Sequence, residues 1–214
     1  MARDLVIFDF DGTLADTWRD IATGLNRTLR EAGLPEAAGA DVRDWVGHGV
    51  RRLIGRAIDS DDAARIEPLY LRFRAHYADC CLDTTVVYDG VRAALDAIAP
   101  RYTLAILSNK PQTFLDRIAD GLGISPLLRD HRRRRRAGRQ QARSGDDRAR
   151  RRHASAAPGR CGWSATARST SRPAAVIGAR TVACAWGLRE RDELVAAAPD
   201  FLIERASELP ALLA

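Results

Sequence analysis

The chain of 214 residues contains a single lysine, Lys110, against 33 arginines, and a single methionine. Its four cysteines, Cys80, Cys81, Cys161 and Cys184, lack metal-ligand spacing. That speaks against a zinc module, and the adjacent Cys80 and Cys81 read as helix residues kept reduced. The opening M-A-R-D and the short apolar run after it are too short for a signal peptide or a membrane span. A cytoplasmic protein with no membrane partner is therefore expected, and no internal repeat is visible. The largest deficit is local. From Arg129 to Arg172 there is no Val, Ile, Leu, Met or Phe, and the only aromatic residue is Trp163. Such a composition is not expected to supply a core strand, so this central segment is expected to be disordered or non-native. Residues Leu128 to Arg172 carry 15 Arg and 3 Asp, a net +12, whereas the whole chain is +6. The remainder is therefore acidic, at −6, and the basic balance belongs to one segment rather than to the protein.

What is present is concentrated at the start. Val6 to Leu14 reads V-I-F-D-F-D-G-T-L, an apolar strand ending on two carboxylates one residue apart. Alternate residues of a strand face the same way, so Asp9 and Asp11 can converge where the strand stops. Two such carboxylates can hold one divalent cation. Mg²⁺ prefers oxygen ligands and completes its shell with a bound phosphate. A metal-neutralised Asp can then attack phosphorus while a second Asp moves the proton. Gly12 permits the sharp turn and Thr13 offers a hydroxyl. A bare D-x-D is more often a solvated strand end or a helix cap, but D-x-D-G-T-L after four apolar residues is much more specific. It resembles the first motif of the haloacid dehalogenase superfamily. The resemblance implies that Asp9 is the nucleophile forming an aspartyl-phosphate, that Asp11 is the general acid and base, and that both help to hold Mg²⁺.

Tyr102 to Asn109, Y-T-L-A-I-L-S-N, is a second buried-strand pattern, ending in a hydroxyl and an amide. An ordinary helix cap would explain S-N alone, because Pro111 suits the start of a helix. In the order found here, Ser108 and Asn109 resemble the second motif of the same superfamily, which implies phosphate binding with Gly12 and Thr13. Lys110 is added to that phosphate-binding set. It follows the motif directly, whereas the superfamily's usual Lys-Pro lies well downstream.

Between these strands the spacing is helical: Trp18, Ile21, Leu25 and Leu29, then Leu53, Ile54, Ala57 and Ile58. A helical block directly after the first motif resembles the superfamily's cap, a lid over the site. The strings G-L-N-R-T-L-R-E-A-G-L-P and D-W-V-G-H-G resemble the phosphoglycolate phosphatase branch, which makes His48 and Arg51 lid candidates for a substrate carboxylate. A loop histidine is otherwise an ordinary solvated residue. Thr181 to Gly187 and Asp200 to Ile203 read as further strands, followed by a helix at Leu209 and Leu212, with Asp200 structural rather than catalytic. The expected fold is α/β, a Rossmann-like parallel sheet core (1–15 and 83–214, with 128–177 aberrant) and a helical cap inserted after the first strand (16–82).

The superfamily's remaining motifs, a Lys and an acidic group after a strand, belong where the Arg-rich segment lies. Gly145-Asp146-Asp147 imitates the acidic motif by letter, but no strand precedes it. A wrong reading frame accounts for both the arginines and the loss. CGN codons read one base later become GNC and encode Val, Ala, Asp or Gly. Over Arg132 to Gly145 that shift permits V-V-G-G-D, and Gln140 to Ser144 permits N-K-P-D-P. From Trp163 onward, a two-base shift permits G-D and then S-T-V-D-V. Several small indels that cancel before about Thr181 are required. As written, the chain is expected to be poorly soluble, with little or no turnover and with Val6 to Phe10 lacking a neighbour in the sheet. Resequencing the genomic DNA for Leu128 to Arg180 should recover Lys-Pro and G-D-x-x-x-D. A confirmed arginine tract would end this explanation.

The expected activity is Mg²⁺-dependent hydrolysis of a small phosphorylated metabolite, phosphoglycolate or a similar ester. A phosphotransferase or mutase of the same superfamily shares the first motif and is the nearest alternative. A nucleic-acid-binding protein gripping through Arg132 to Arg136 and Arg148 to Arg152 is the other. Nucleic-acid arms more often mix lysine and aromatic residues with arginine, so a solvated tract is the preferred account of those clusters. Oligomeric state is left open by the sequence.

Overall fold

The computed structural model describes residues 4–128, 162–166 and 180–214. The arginine clusters at 132–136 and 148–152, the Gly145-Asp146-Asp147 string and Cys161 lie outside the described residues. Five parallel strands form the main sheet: β1 (Leu5–Phe8), β4 (Thr103–Ile106), β5 (Gly162–Thr166), β6 (Arg180–Cys184) and β7 (Phe201–Ile203), in the order β4-β1-β5-β6-β7. Val6 and Phe8 of β1, with Leu104 and Ile106 of β4, are buried. Such strand cores need continuous apolar sequence, and both motif-bearing strands have it. The chain passes from β1 to β4 on one side and later to β5 on the other. β1 is therefore the topological switch point of the sheet, where a crevice opens beyond the carboxyl ends of the strands.

One expectation is corrected. Val6 to Phe8 does not lack a neighbour, because β5 pairs with β1 from Leu5 opposite Gly162 to Phe8 opposite Ala165, and with β6 on its other side. The physical reason is that parallel pairing uses main-chain N–H and C=O groups, which every non-proline residue carries. Gly162-Trp163-Ser164-Ala165-Thr166 is a stretch of the apolar-poor segment with neither charge nor proline, so a ladder strand fits there.

After β1 the chain leaves the sheet through β2 (Ala15–Asp16) and returns through β3 (Val86–Val87), which pair antiparallel. Between them lie four helices: α1 (Trp18–Glu31), α2 (Gly39–Trp45), α3 (Val50–Ala57) and α4 (Ala63–Cys80). The apolar stripe read from the sequence is the buried face of α1, with Ile21, Leu25 and Leu29 in the core. Gly24 lets α1 and α4 approach closely, since a Cβ there would lie 3.2 Å from Tyr77 Cβ and 3.3 Å from Tyr77 Cα. Cys80 ends α4 and Cys81 follows it, both buried and free. The chain then forms α5 (Val91–Ile98), α6 (Gln112–Gly121), α7 (Arg191–Ala196) and α8 (Leu209–Leu212).

A buried carboxylate ties the outward and returning crossings together. Asp20, in the first turn of α1 and 1% exposed, accepts hydrogen bonds from the backbone N–H and the hydroxyl of both Thr84 and Thr85, at 2.6 to 3.1 Å. Asp200 has a similar duty between β6 and β7, where its Oδ2 accepts from Thr181 N and Oγ1. Those bonds hold its carboxyl below the usual range. Among the described residues no helix is long and apolar enough to cross a membrane.

Candidate active site

β1 stops at Phe8, and the next seven residues fold into a tight loop. Thr13, Leu14 and Ala15 all donate backbone N–H groups to Phe10 O, and Gly12 N donates to Ala15 O. Gly12 has φ +78°, the left-handed region that glycine enters without a Cβ penalty. A second loop, following β6, braces this one. Trp186 Nε1 donates to Thr13 O at 3.0 Å, and a Cβ on Gly187 would lie 2.1 Å from Gly12 O. Glycine at 187 is thus required by backbone contact rather than by its torsion angles.

This loop holds Asp9 and Asp11, 5% and 9% exposed. Asp9 Oδ1 accepts from Phe10 N at 2.7 Å. Burial pushes the Asp9 carboxyl up to about 7, with the Asp11 charge adding to the rise; the Phe10 amide, the Ser108 hydroxyl and the Lys110 charge oppose it. Asp11 Oδ1 accepts from Thr17 Oγ1 at 2.6 Å and from Lys110 Nζ at 2.8 Å. The Lys110 side chain is only 3% exposed. Burial, the largest influence, would lower its pKa, but the Asp11 carboxylate and the Tyr77 side chain together hold the ammonium above its ordinary range.

The β4 end supplies the opposite wall. Ser108 Oγ accepts from Lys110 N at 3.2 Å, and Asn109 Nδ2 donates to Gly47 O at 2.8 Å. Arg189, from the loop after β6, donates to Asp44 O at 2.7 Å and Val46 O at 2.6 Å. A guanidinium thereby occupies carbonyls at the C-terminal end of α2, where a cation is favoured. Asn109 and Arg189 together draw the helical insertion down onto the strand ends. Between them lies a cleft of about 460 Å³ that is partly open to solvent, with Asp11, Ser108 and Lys110 on the sheet side and Trp45, Leu53 and Phe73 on the insertion side.

Most sequence-predicted residues therefore meet at the ends of β1 and β4. Asp11, Ser108, Asn109 and Lys110 line the cleft, whereas Asp9 lies close by in the same loop without forming part of its wall. Thr13 Oγ1 is buried and has no hydrogen-bond partner among the described residues. The two lid candidates are placed differently. Arg51 is turned to Glu67, both bonds 2.8 Å, and its guanidinium stacks 3.8 Å above the Tyr70 ring centre. His48 is half-buried, and burial and the Arg189 charge lower its pKa. Neither side chain lines the cleft in this arrangement, although Gly47 and Gly49 on either side of His48 do. Arg51 has a carboxylate and an aromatic face nearer than the cleft.

Three contributors escaped the sequence reading. Thr17 stands where a helix N-cap belongs, but its hydroxyl goes to Asp11 instead of capping α1. Tyr77 reads as one more core aromatic on α4. Asp20 left a usable signal, a charged residue in phase with the buried stripe of α1. Among the described residues no group of three or more His, Cys, Asp or Glu gathers around a possible metal. Nor is any residue from 148 to 189 acidic, so the strand end at β5 has no carboxylate to add.

A family model described as haloacid dehalogenase-like hydrolase matches residues 6–129. A phosphoglycolate phosphatase from Colwellia psychrerythraea is 35% identical over 134 residues, 59% of this chain and 59% of its own length. One from Pseudomonas putida is 38% identical over 133 residues, 58% of this chain and 48% of its own length. The chain thus matches about half to three-fifths of these relatives. Among solved structures, a predicted phosphoglycolate phosphatase from Haemophilus somnus superposes with TM-score 0.77 at 19% identity, covering 99% of this chain and 98% of that one. A haloacid dehalogenase-like hydrolase from Streptococcus pneumoniae gives 0.76 at 17% identity, covering 99% of both chains. At those identities the superpositions speak to fold, and it is the fold derived above. With the family model covering more than half of its residues, including both motif-bearing strands, the chain belongs to the haloacid dehalogenase-like hydrolase family.

Proposed function

We propose that this chain hydrolyses small phosphomonoesters, with phosphoglycolate the first substrate to test, through an aspartyl-phosphate on Asp9. The observation that carries the reading is the buried Asp9–Asp11 pair at the switch point of the sheet, with the Lys110 ammonium 2.8 Å from Asp11. The names of the relatives support the substrate class.

The donor set suits Mg²⁺: two buried carboxylates beside a Thr13 hydroxyl with no partner among the described residues. Mg²⁺ is commonly held by one or two carboxylates, with phosphate and water completing its shell. Asp9 and Asp11 would hold it, and it would neutralise phosphate oxygens and lower the Asp9 pKa. Ser108 and the Thr13 hydroxyl receive the phosphate, and an Asp9 oxygen attacks phosphorus as the ester bond breaks. Asp11 Oδ1 is committed to Lys110 and Thr17, leaving Oδ2 to give a proton to the departing alcohol and later to take one from the attacking water. Lys110 keeps positive charge at the site from a position just after the second motif. The helical insertion at 16–82 acts as the cap that excludes water.

With no third metal carboxylate among the described residues, turnover is expected to be slow, because one preorganised charged group is typically worth ~100-fold. The test is phosphate release from 2-phosphoglycolate by the purified chain. Slow release that requires Mg²⁺ and stops with EDTA is expected. Release indifferent to EDTA, or none above buffer, would sink the proposal.

A further inference from the structure

The insertion side of the cleft is mainly apolar, yet it contains one hydroxyl whose hydrogen has no acceptor among the described residues. The Tyr77 side chain on α4 is 1% exposed and lines the cleft, and although the Lys110 ammonium faces its oxygen, its hydroxyl hydrogen has no acceptor among the described residues. Its ring is held by stacking on Phe73 at 5.3 Å between centroids and by an edge contact with Phe114 at 4.9 Å. A buried phenol hydrogen left without an acceptor in a rigid aromatic setting calls for an explanation, and a ligand acceptor supplies one. Burial holds the phenol above its ordinary range, so it remains a donor. Lys110 Nζ lies 5.0 Å from the Tyr77 ring centre. It gives one N–H to Asp11, and an ammonium has three. Two donors, one of them cationic, therefore meet where the insertion closes over the strand ends.

We propose that Tyr77 is a specificity-determining residue that donates its phenol hydrogen to a carboxylate on the alcohol portion of the substrate, with Lys110 supplying the adjacent positive charge. This rests on the phosphomonoesterase reading, which places the phosphate at Asp9 and Ser108. A short carboxylate offers two acceptor oxygens to the two donors. A longer polyhydroxy alcohol would run its hydroxyls against Trp45, Leu53 and Phe73. Arg51 and His48 do not compete for the carboxylate, since neither is on the wall.

The test needs no turnover. Binding of 3-phosphonopropionate and of propylphosphonate, which differ only by a carboxylate in place of a methyl group, is measured by calorimetry with Mg²⁺ on the full chain and on Tyr77→Phe. The variant keeps the ring and its stacking. The wild-type chain is expected to prefer the carboxylate by about tenfold or more, as for a hydrogen bond to a charged group. Tyr77→Phe should lose most of that preference, while propylphosphonate affinity stays within about twofold. Absence of a preference in the wild type, its survival in Tyr77→Phe, or equal weakening of both phosphonates would overturn the proposal. A preference that depends on Tyr77 in a chain releasing no phosphate would instead defeat the hydrolase reading alone.

Discussion

Asp9→Asn should abolish phosphate release and, in the absence of metal, make the protein more stable. The loss follows from its place as the nucleophile: an amide cannot form the acyl phosphate, and losses at covalent centres are on the order of 10⁴-fold or more. The stability gain follows from burial. The Asp9 carboxyl, 5% exposed, is pushed up to about 7 from an ordinary 3.8. A carboxyl whose pKa is raised on folding leaves stability intact below its unfolded value and removes it as the pH climbs through the folded value. The metal-free wild type should therefore weaken between about pH 4 and pH 7, by at most ~4 kcal/mol, and level off above. Asp9→Asn carries no such charge, so its advantage in urea midpoint should open across that interval. Mg²⁺ should narrow the gap by favouring the ionised wild-type carboxylate. Retained phosphate release in Asp9→Asn would remove Asp9 from the chemistry, and a stability difference flat from pH 4 to pH 8 would contradict the burial argument.

Asp20→Ala should be the most damaging substitution away from the cleft. Asp20 satisfies two backbone N–H groups and two hydroxyls of Thr84 and Thr85 at the point where the insertion rejoins the sheet domain. Alanine would leave the Thr85 donors buried and unpaired and hand those of the exposed Thr84 to water. The expected cost is about 3 kcal/mol or more, a large part of the 5–15 kcal/mol available to an ordinary domain. Asp20→Asn keeps one acceptor oxygen and should lose roughly half as much. Urea unfolding measures both, and proteolysis in the 82–87 stretch should rise first, because those bonds anchor it. A midpoint for Asp20→Ala within about 0.5 kcal/mol of wild type would show that the clamp contributes little.

The strands bearing the motifs were legible because their signals are local. Val6 to Phe8 and Leu104 to Ile106 are apolar runs stopped by Asp9 and by Ser108-Asn109, and the stripe Ile21, Leu25, Leu29 is a helix face in any context. β5 was not legible. Gly162 to Thr166 carries no apolar period and is a strand only because β1 and β6 offer main-chain partners on either side. The surroundings of Arg51 and Tyr77 were not legible for a related reason. The resemblance to the phosphoglycolate phosphatase branch made the arginine a lid candidate, and the fold turns it to Glu67 and Tyr70, while an aromatic that reads as core carries a hydroxyl at the cleft.

By itself, the sequence determined the two carboxylates, the hydroxyl and amide that face them, the helical block between, and the confinement of basic charge to one segment. Each of these is set by residue type and by spacing over a few positions. Tertiary structure alone decided that Lys110 pairs with Asp11 across 99 residues, that Asp20 clamps the two crossings and that Tyr77 faces the ammonium. Those outcomes depend on which elements pack together and on how burial alters the strength of each charge, and neither is encoded within a single turn of chain.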